Sequence, residues 1–145
     1  MKQWMSDAGL NGQEDTDGFL VVSRSNLEIS VAYMEDADLA VCFAPLLELT
    51  RLEDAQRIVV LSQALSLNGL GNLPPGCALS YEEDGDVVYM LWQQPPEQLD
   101  STRFANALES FETAAAQVQA HLQELLSEDE ASSSESAPQD FVLRV

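Results

Sequence analysis

The chain has 145 residues, 46% of them hydrophobic, enough for one compact domain with a real core and too few for two ordinary ones. Six Lys and Arg stand against 25 Asp and Glu, a formal net charge of −19. A surface of that sign keeps a small protein soluble but repels phosphate backbones and anionic lipid headgroups, which disfavours nucleic acid and membrane and leaves basic or uncharged polypeptides as partners.

Residues 1–10, "MKQWMSDAGL", suit a short helix with Trp4, Met5 and Ala8 on one side. They lack the apolar stretch of a secretory signal, and no apolar run in the chain reaches membrane-spanning length, so the expectation is a cytoplasmic protein without membrane insertion. After the polar loop 11–18, three short apolar runs follow, 19–24, 27–34 and 37–43, separated by "SN" and "EDAD". Leu27, Ile29, Val31 and Tyr33 alternate with Glu28, Ser30, Ala32 and Met34, the period of a strand with one favoured face. Connections this short predict an antiparallel meander.

Leu52, Ala55, Ile58, Val59, Ser62 and Leu65 then fall at helical spacing over 51–69, and Leu61 and Ala64 widen the apolar sector. Thr50 or Arg51 is expected to start this helix. Gly69 is expected to end it in the left-handed conformation. A sector so broad fits either a helix pressed between sheet and loops or one that also meets a second copy of the chain. Two further strand-like runs, 77–83 and 86–94, flank Asp84-Gly85, a hairpin signal in which both turn residues take positive φ. The acids around Gly85 lack the twelve-residue ligand spacing of a calcium loop, so they read as a turn. After "PPEQL", with Asp100 or Ser101 as cap, Phe104, Leu108, Phe111, Ala115, Val118, Leu122 and Leu125 step by alternating fours and threes. That single seam belongs lengthwise on a sheet. Residues 127–140, "SEDEASSSESAPQD", are acidic and Ser-rich and are expected to be disordered, with an apolar end, "FVLRV".

No motif for catalysis is present. There is one histidine, His121, and no Ser-His-Asp context, G-x-S-x-G elbow or H-E-x-x-H helix. Cys42 and Cys77 lack CxxC neighbours, so neither a zinc site nor a disulfide is expected, only free thiols in a reducing compartment. The stretch "LSLNGLGNLPPGCALSY" (65–81) suggests a phosphate loop at first sight. Its glycines, however, follow a helix and precede a strand, the reverse of a phosphate cradle, and Pro74 and Pro75 remove two amide donors. No metal, cofactor or nucleotide is expected.

The order of elements, with the helix-ending Leu67-Asn68, the acidic Asp84-Gly85 turn and Leu99-Asp100 before "RFANALESFETAAAQ", resembles the class I type III secretion chaperones, the CesT or Tir-chaperone-like family, over about residues 1–126. The resemblance implies an α+β fold in the order α-β-β-β-α-β-β-α, a twisted, mainly antiparallel sheet packed by helices, and a homodimer. It implies a bacterial protein, not an enzyme, that holds the extended N-terminal region of a secreted effector protein without ATP. It places the dimer contact on the middle helix and the following hairpin, at Leu52, Ile58, Val59, Leu61, Leu65, Val88, Met90 and Trp92. The effector groove falls on the first three strands, at Val22, Ile29, Val31, Val41 and Phe43. The chain departs from the family pattern in a short first helix without an "LGLP"-like ending and in the added tail at 127–145. Two other readings are a chaperone-like regulator that sequesters a secretion-control protein and a small-molecule-binding or catalytic domain with an unrecognised site.

Overall fold

The computed structural model describes residues 13–14, 19–69 and 71–135, and the side chains of these except at 13–14 and 129–135. The expected helix at 1–10 and the chain beyond 135 lie outside the described residues. Strands β1 (Gln13–Glu14), β2 (Leu20–Arg24), β3 (Leu27–Met34) and β4 (Leu39–Glu48) lead to helix α1 (Asp54–Leu67). Strands β5 (Cys77–Glu82) and β6 (Val87–Gln94), a 3₁₀ turn (Pro96–Gln98) and helix α2 (Ser101–Glu135) follow. The strands form one sheet in the order β1-β2-β3-β4-β6-β5, every neighbouring pair antiparallel. The α+β fold expected from the resemblance is therefore the one observed.

Local chemistry sets the turns and ends. Ser25 and Asn26 both take positive φ, 50° and 63°, so β2 and β3 are joined by a two-residue turn whose twist matches the strands. Strand β4 runs five residues past the expected end at 43, because β6 pairs with it from Ala40 to Glu48, across a register shift between Pro45 and Leu47. Proline has no amide to give the ladder, and an irregularity absorbs it. Helix α1 starts at Asp54 rather than near Thr50. Glu53 and Gln56 form a capping box, in which the Gln56 side chain accepts from the Glu53 amide at 3.0 Å.

Two further expectations are corrected. The end of α1 does not use a left-handed Gly69. Asn68 closes it at φ −73°, and positive φ appears only later, at Gly71 and Gly76. At Gly76 a Cβ would lie 3.1 Å from Trp92 Cδ1 and from the Gln93 carbonyl, so a side chain there would crowd β6 as well as strain the φ of 84°. The β5–β6 turn spans Glu83–Asp86, closed by the Asp86 amide donating to Glu83 O at 3.2 Å, and its positive φ falls on Asp86 (53°) instead of Asp84 and Gly85.

Helix α2 is capped by Asp100, whose carboxylate accepts from the Arg103 amide at 2.8 Å. Its seam residues Phe104, Leu108, Phe111, Ala115, Val118 and Leu122 are all buried. They meet Val22, Ile29, Val31, Cys42, Ala44, Val88, Met90 and Trp92 in one core with Val60 and Ala64 of α1. Helix α2 continues to Glu135, well past residue 126, because no Gly or Pro interrupts 101–135 and Ala, Glu and Ser tolerate the helix.

Phe111 is fully buried at the centre of the seam. Phe111→Ala should lower the unfolding free energy by about 3–5 kcal/mol in urea denaturation, the cost of an unfilled core site.

Candidate protein-binding site

Alternate residues of a strand point to opposite faces, and the core cluster takes one parity of each strand. The other parity makes a second apolar face. In register across it lie Ala78, Leu91 and Phe43, then Ser80, Tyr89 and Pro45, then Glu82 and Val87. Phe19 and Tyr89 both meet the Phe43 ring edge-to-face, with centroids 5.3 and 6.4 Å away. Phe43, Pro45, Glu82, Val87, Tyr89 and Leu91 enclose a depression of about 370 Å³. Pro45 and Glu82 are exposed and the other four half-buried. Helix α2 packs on the core side, so these side chains have no helix over them among the described residues.

A second apolar surface lies beside β5, the last strand of the sheet. Ile58 and Leu65, two turns apart on one stripe of α1, are 66% and 74% exposed, with Val59 and Tyr81 also open to solvent. A groove of about 200 Å³ separates α1 from β5, lined by Leu61, Ala64 and Leu65 on one side and Leu79 and Tyr81 on the other. Two polar devices hold it in shape. The Asn68 amide bridges both edge-facing groups of Leu79, donating to its carbonyl at 3.0 Å and accepting from its N–H at 2.7 Å. A strand edge that is otherwise a template for pairing is thereby closed at its middle. Arg57 clamps α1 to the β5–β6 turn, with both terminal nitrogens on the Asp86 carboxylate at 2.7 and 2.8 Å and a further bond to Leu49 O at 2.9 Å. Tyr81 donates to the same carboxylate at 2.7 Å. This explains why Asp86 tolerates positive φ: its side chain is held from two sides. The guanidinium first, then the phenol, keeps the Asp86 carboxyl below the usual carboxylate range.

The structure divides the residues expected in the effector groove. Val22, Ile29 and Val31 are 5%, 0% and 1% exposed in the core beneath α2, so they line no open groove. Val41 and Phe43 lie on the opposite face, Val41 buried and Phe43 half-buried beside the depression. The expected dimer contact divides likewise. Ile58, Val59 and Leu65 are open, and Leu52 and Leu61 are half-buried against the core. Val88, Met90 and Trp92 are core residues and a correction to that expectation. Sequence reasoning passed over Val87, Tyr89, Leu91 and Tyr81. The signal for the first three was the unbroken run "VVYMLW", since a strand apolar at both parities has two faces to cover.

Other chemistry is sparse among the described residues. No three His, Cys, Asp or Glu are grouped to hold a metal ion, and no helix is long and apolar enough to cross a membrane. Both thiols are free and lie opposite Trp92 from its two neighbouring strands. Burial pushes Cys77 up to about 11 and Cys42 further, so neither is a ready nucleophile.

A family model described as the Tir chaperone protein (CesT) family matches residues 2–119. No curated protein matches the sequence. Among solved structures, a chain of the ExsC–ExsE complex superposes with a TM-score of 0.60 at 13% identity, covering 84% of this chain and 97% of that one. A chain of the Pseudomonas aeruginosa ExoT–SpcS complex gives 0.56 at 18% identity, with 81% and 98% covered. A chain from the Yersinia pestis type III secretion chaperone SycH with a fragment of YscM2 gives 0.54 at 18%, with 80% and 93% covered.

The Arg57 clamp makes a pH prediction. Asp86 binds its proton less readily folded than unfolded, so the clamp stabilises the fold above the ordinary carboxylate range, near 4. That contribution fades as pH falls through the lower folded value. Thermal melts from neutral pH down to about 3 should therefore show Asp86→Asn losing less stability on acidification than the unaltered chain, and being the less stable of the two at pH 7.

Proposed function

Because the chain belongs to the Tir chaperone protein (CesT) family, we propose that it is a bacterial, cytoplasmic, non-enzymatic chaperone for a type III secretion effector. It holds the effector's N-terminal region in extended form, soluble and competent for export. The observation that carries this reading is the second apolar face of the sheet. Phe43, Tyr89 and Leu91 stand at its centre with no helix over them among the described residues, on a chain whose net charge opposes indiscriminate clustering. An extended segment laid there buries its apolar side chains in the depression, and no nucleotide is needed because burial itself is the driving force. The solved structures of similar fold, two of them complexes of paired proteins by name and one a secretion chaperone with a bound fragment, support this assignment.

The chaperone acts as a homodimer, joined through α1 and the β5 side of the sheet. Ile58, Val59, Leu65 and Tyr81 form the apolar strip that a second copy covers. The Arg57 bonds tie α1 to the hairpin and the Asn68 bonds close the β5 edge, so the two copies meet through side chains instead of joining their sheets edge to edge.

Co-expression with the protein encoded beside it should give a stable complex containing two copies of this chain per partner. Leu91→Asp should lose the partner and remain a folded dimer, whereas Ile58→Asp with Leu65→Asp should sediment as a folded monomer. A chain that is monomeric without substitution, and that binds no polypeptide but is stabilised by a metabolite, contradicts the proposal.

A further inference from the structure

The depression on the open face has one charged residue in its wall. Glu82 lies directly across from Val87 in the β5–β6 register, and on the other side of Val87 stands Glu48, so an acid flanks the apolar floor on both sides. The Glu82 carboxylate sits over the turn. A Cβ on Gly85 would come within 2.9 Å of its Oε2, so glycine there leaves this group its room. The nearby cation Arg57 is committed to Asp86, and none of the lining residues is basic. An apolar cavity walled by a carboxylate without a cationic partner in its lining is complementary to an apolar group with a positive charge beside it.

We infer that this depression selects its occupant by charge as well as by shape. The occupant is a partner polypeptide segment in which a bulky apolar side chain fills the space above Val87, Tyr89 and Leu91, with a Lys or Arg within two positions pairing with Glu82. The inference rests on the open face being the partner-binding face. At about 370 Å³ the space takes one or two large side chains and falls near the lower end of ordinary ligand pockets. Glu82 is exposed, so its pairing contributes discrimination more than affinity.

The test is selection from a random-peptide phage library on the full chain and on three variants, Glu82→Arg, Asp84→Arg and Leu91→Asp. Asp84 lies in the adjoining turn but does not line the depression, so its replacement alters net charge equally without touching the site. Peptides selected on the unaltered chain should carry a bulky apolar residue with Lys or Arg beside it, and so should those selected on Asp84→Arg. Those selected on Glu82→Arg should carry Asp or Glu there instead. A selected peptide should bind Glu82→Gln about three-fold more weakly, as for an ion pair at a solvent-exposed rim. Equal changes in Glu82→Arg and Asp84→Arg, or no basic preference at all, overturn the inference while leaving the face intact. Binding that survives Leu91→Asp, or failure to select any apolar peptide, overturns the face and the inference together.

Discussion

The pleat of the sheet sends alternate side chains to opposite sides, and α2 covers only one of them. Every other feature follows from this division. The helix-covered parity collects Ile29, Val31, Cys42, Val88, Met90 and Trp92 against the Phe104–Leu122 seam and supplies the burial that folds the domain. In β4 and β6 the opposite parity is also apolar, yet it contributes less to folding because no described helix buries it. Leaving Phe43, Tyr89 and Leu91 partly wet weakens the isolated chain, and a protein that borrows its missing layer from a partner has reason to keep them so. On the proposed reading the face is a half-built core that an extended polypeptide completes.

Such a surface invites aggregation, and the molecule limits it in three ways. Net charge of −19 opposes indiscriminate clustering of the molecules in solution. The β5 edge is closed at Leu79 by the Asn68 amide, so two sheets cannot fuse there without breaking both bonds. The Arg57–Asp86–Tyr81 cluster fixes the angle between α1 and the hairpin, so the exposed strip of Ile58 and Leu65 is presented in one geometry. Gln119 adds a tie from α2, donating to Leu46 O at 2.9 Å beside the β4 irregularity.

Much of this was legible in the sequence where one physical requirement dominates. The α2 seam was, because only a 3.6-residue period places Phe104, Leu108 and Phe111 on one line. The β3 pattern was, because its polar and apolar residues alternate. The choice of face was not. Val22, Ile29 and Val31 are as apolar as Val41 and Phe43, and periodicity shows that a strand has two sides without showing which one a helix will cover. The same ambiguity put Val88, Met90 and Trp92 at an interface when they belong to the core. Long-range polar bonds were equally silent. Nothing local links Asn68 to Leu79 or Arg57 to Asp86, and these contacts moved the positive φ from Gly85 to Asp86. Membership of the family came from the order of elements, which survives where identity to similar structures is only 13–18%.

The central claim is that one face of the sheet is core and the other is the partner's. Hydroxyl-radical footprinting of the chain, free and bound to the polypeptide with which it copurifies, tests it side chain by side chain. The account predicts that Phe43, Tyr89 and Leu91 are modified in the free protein and protected in the complex, while Met90 and Trp92 stay unmodified in both. Labelling of Met90 and Trp92 as strong as that of Tyr89, or labelling of Tyr89 that binding leaves unchanged, would contradict it.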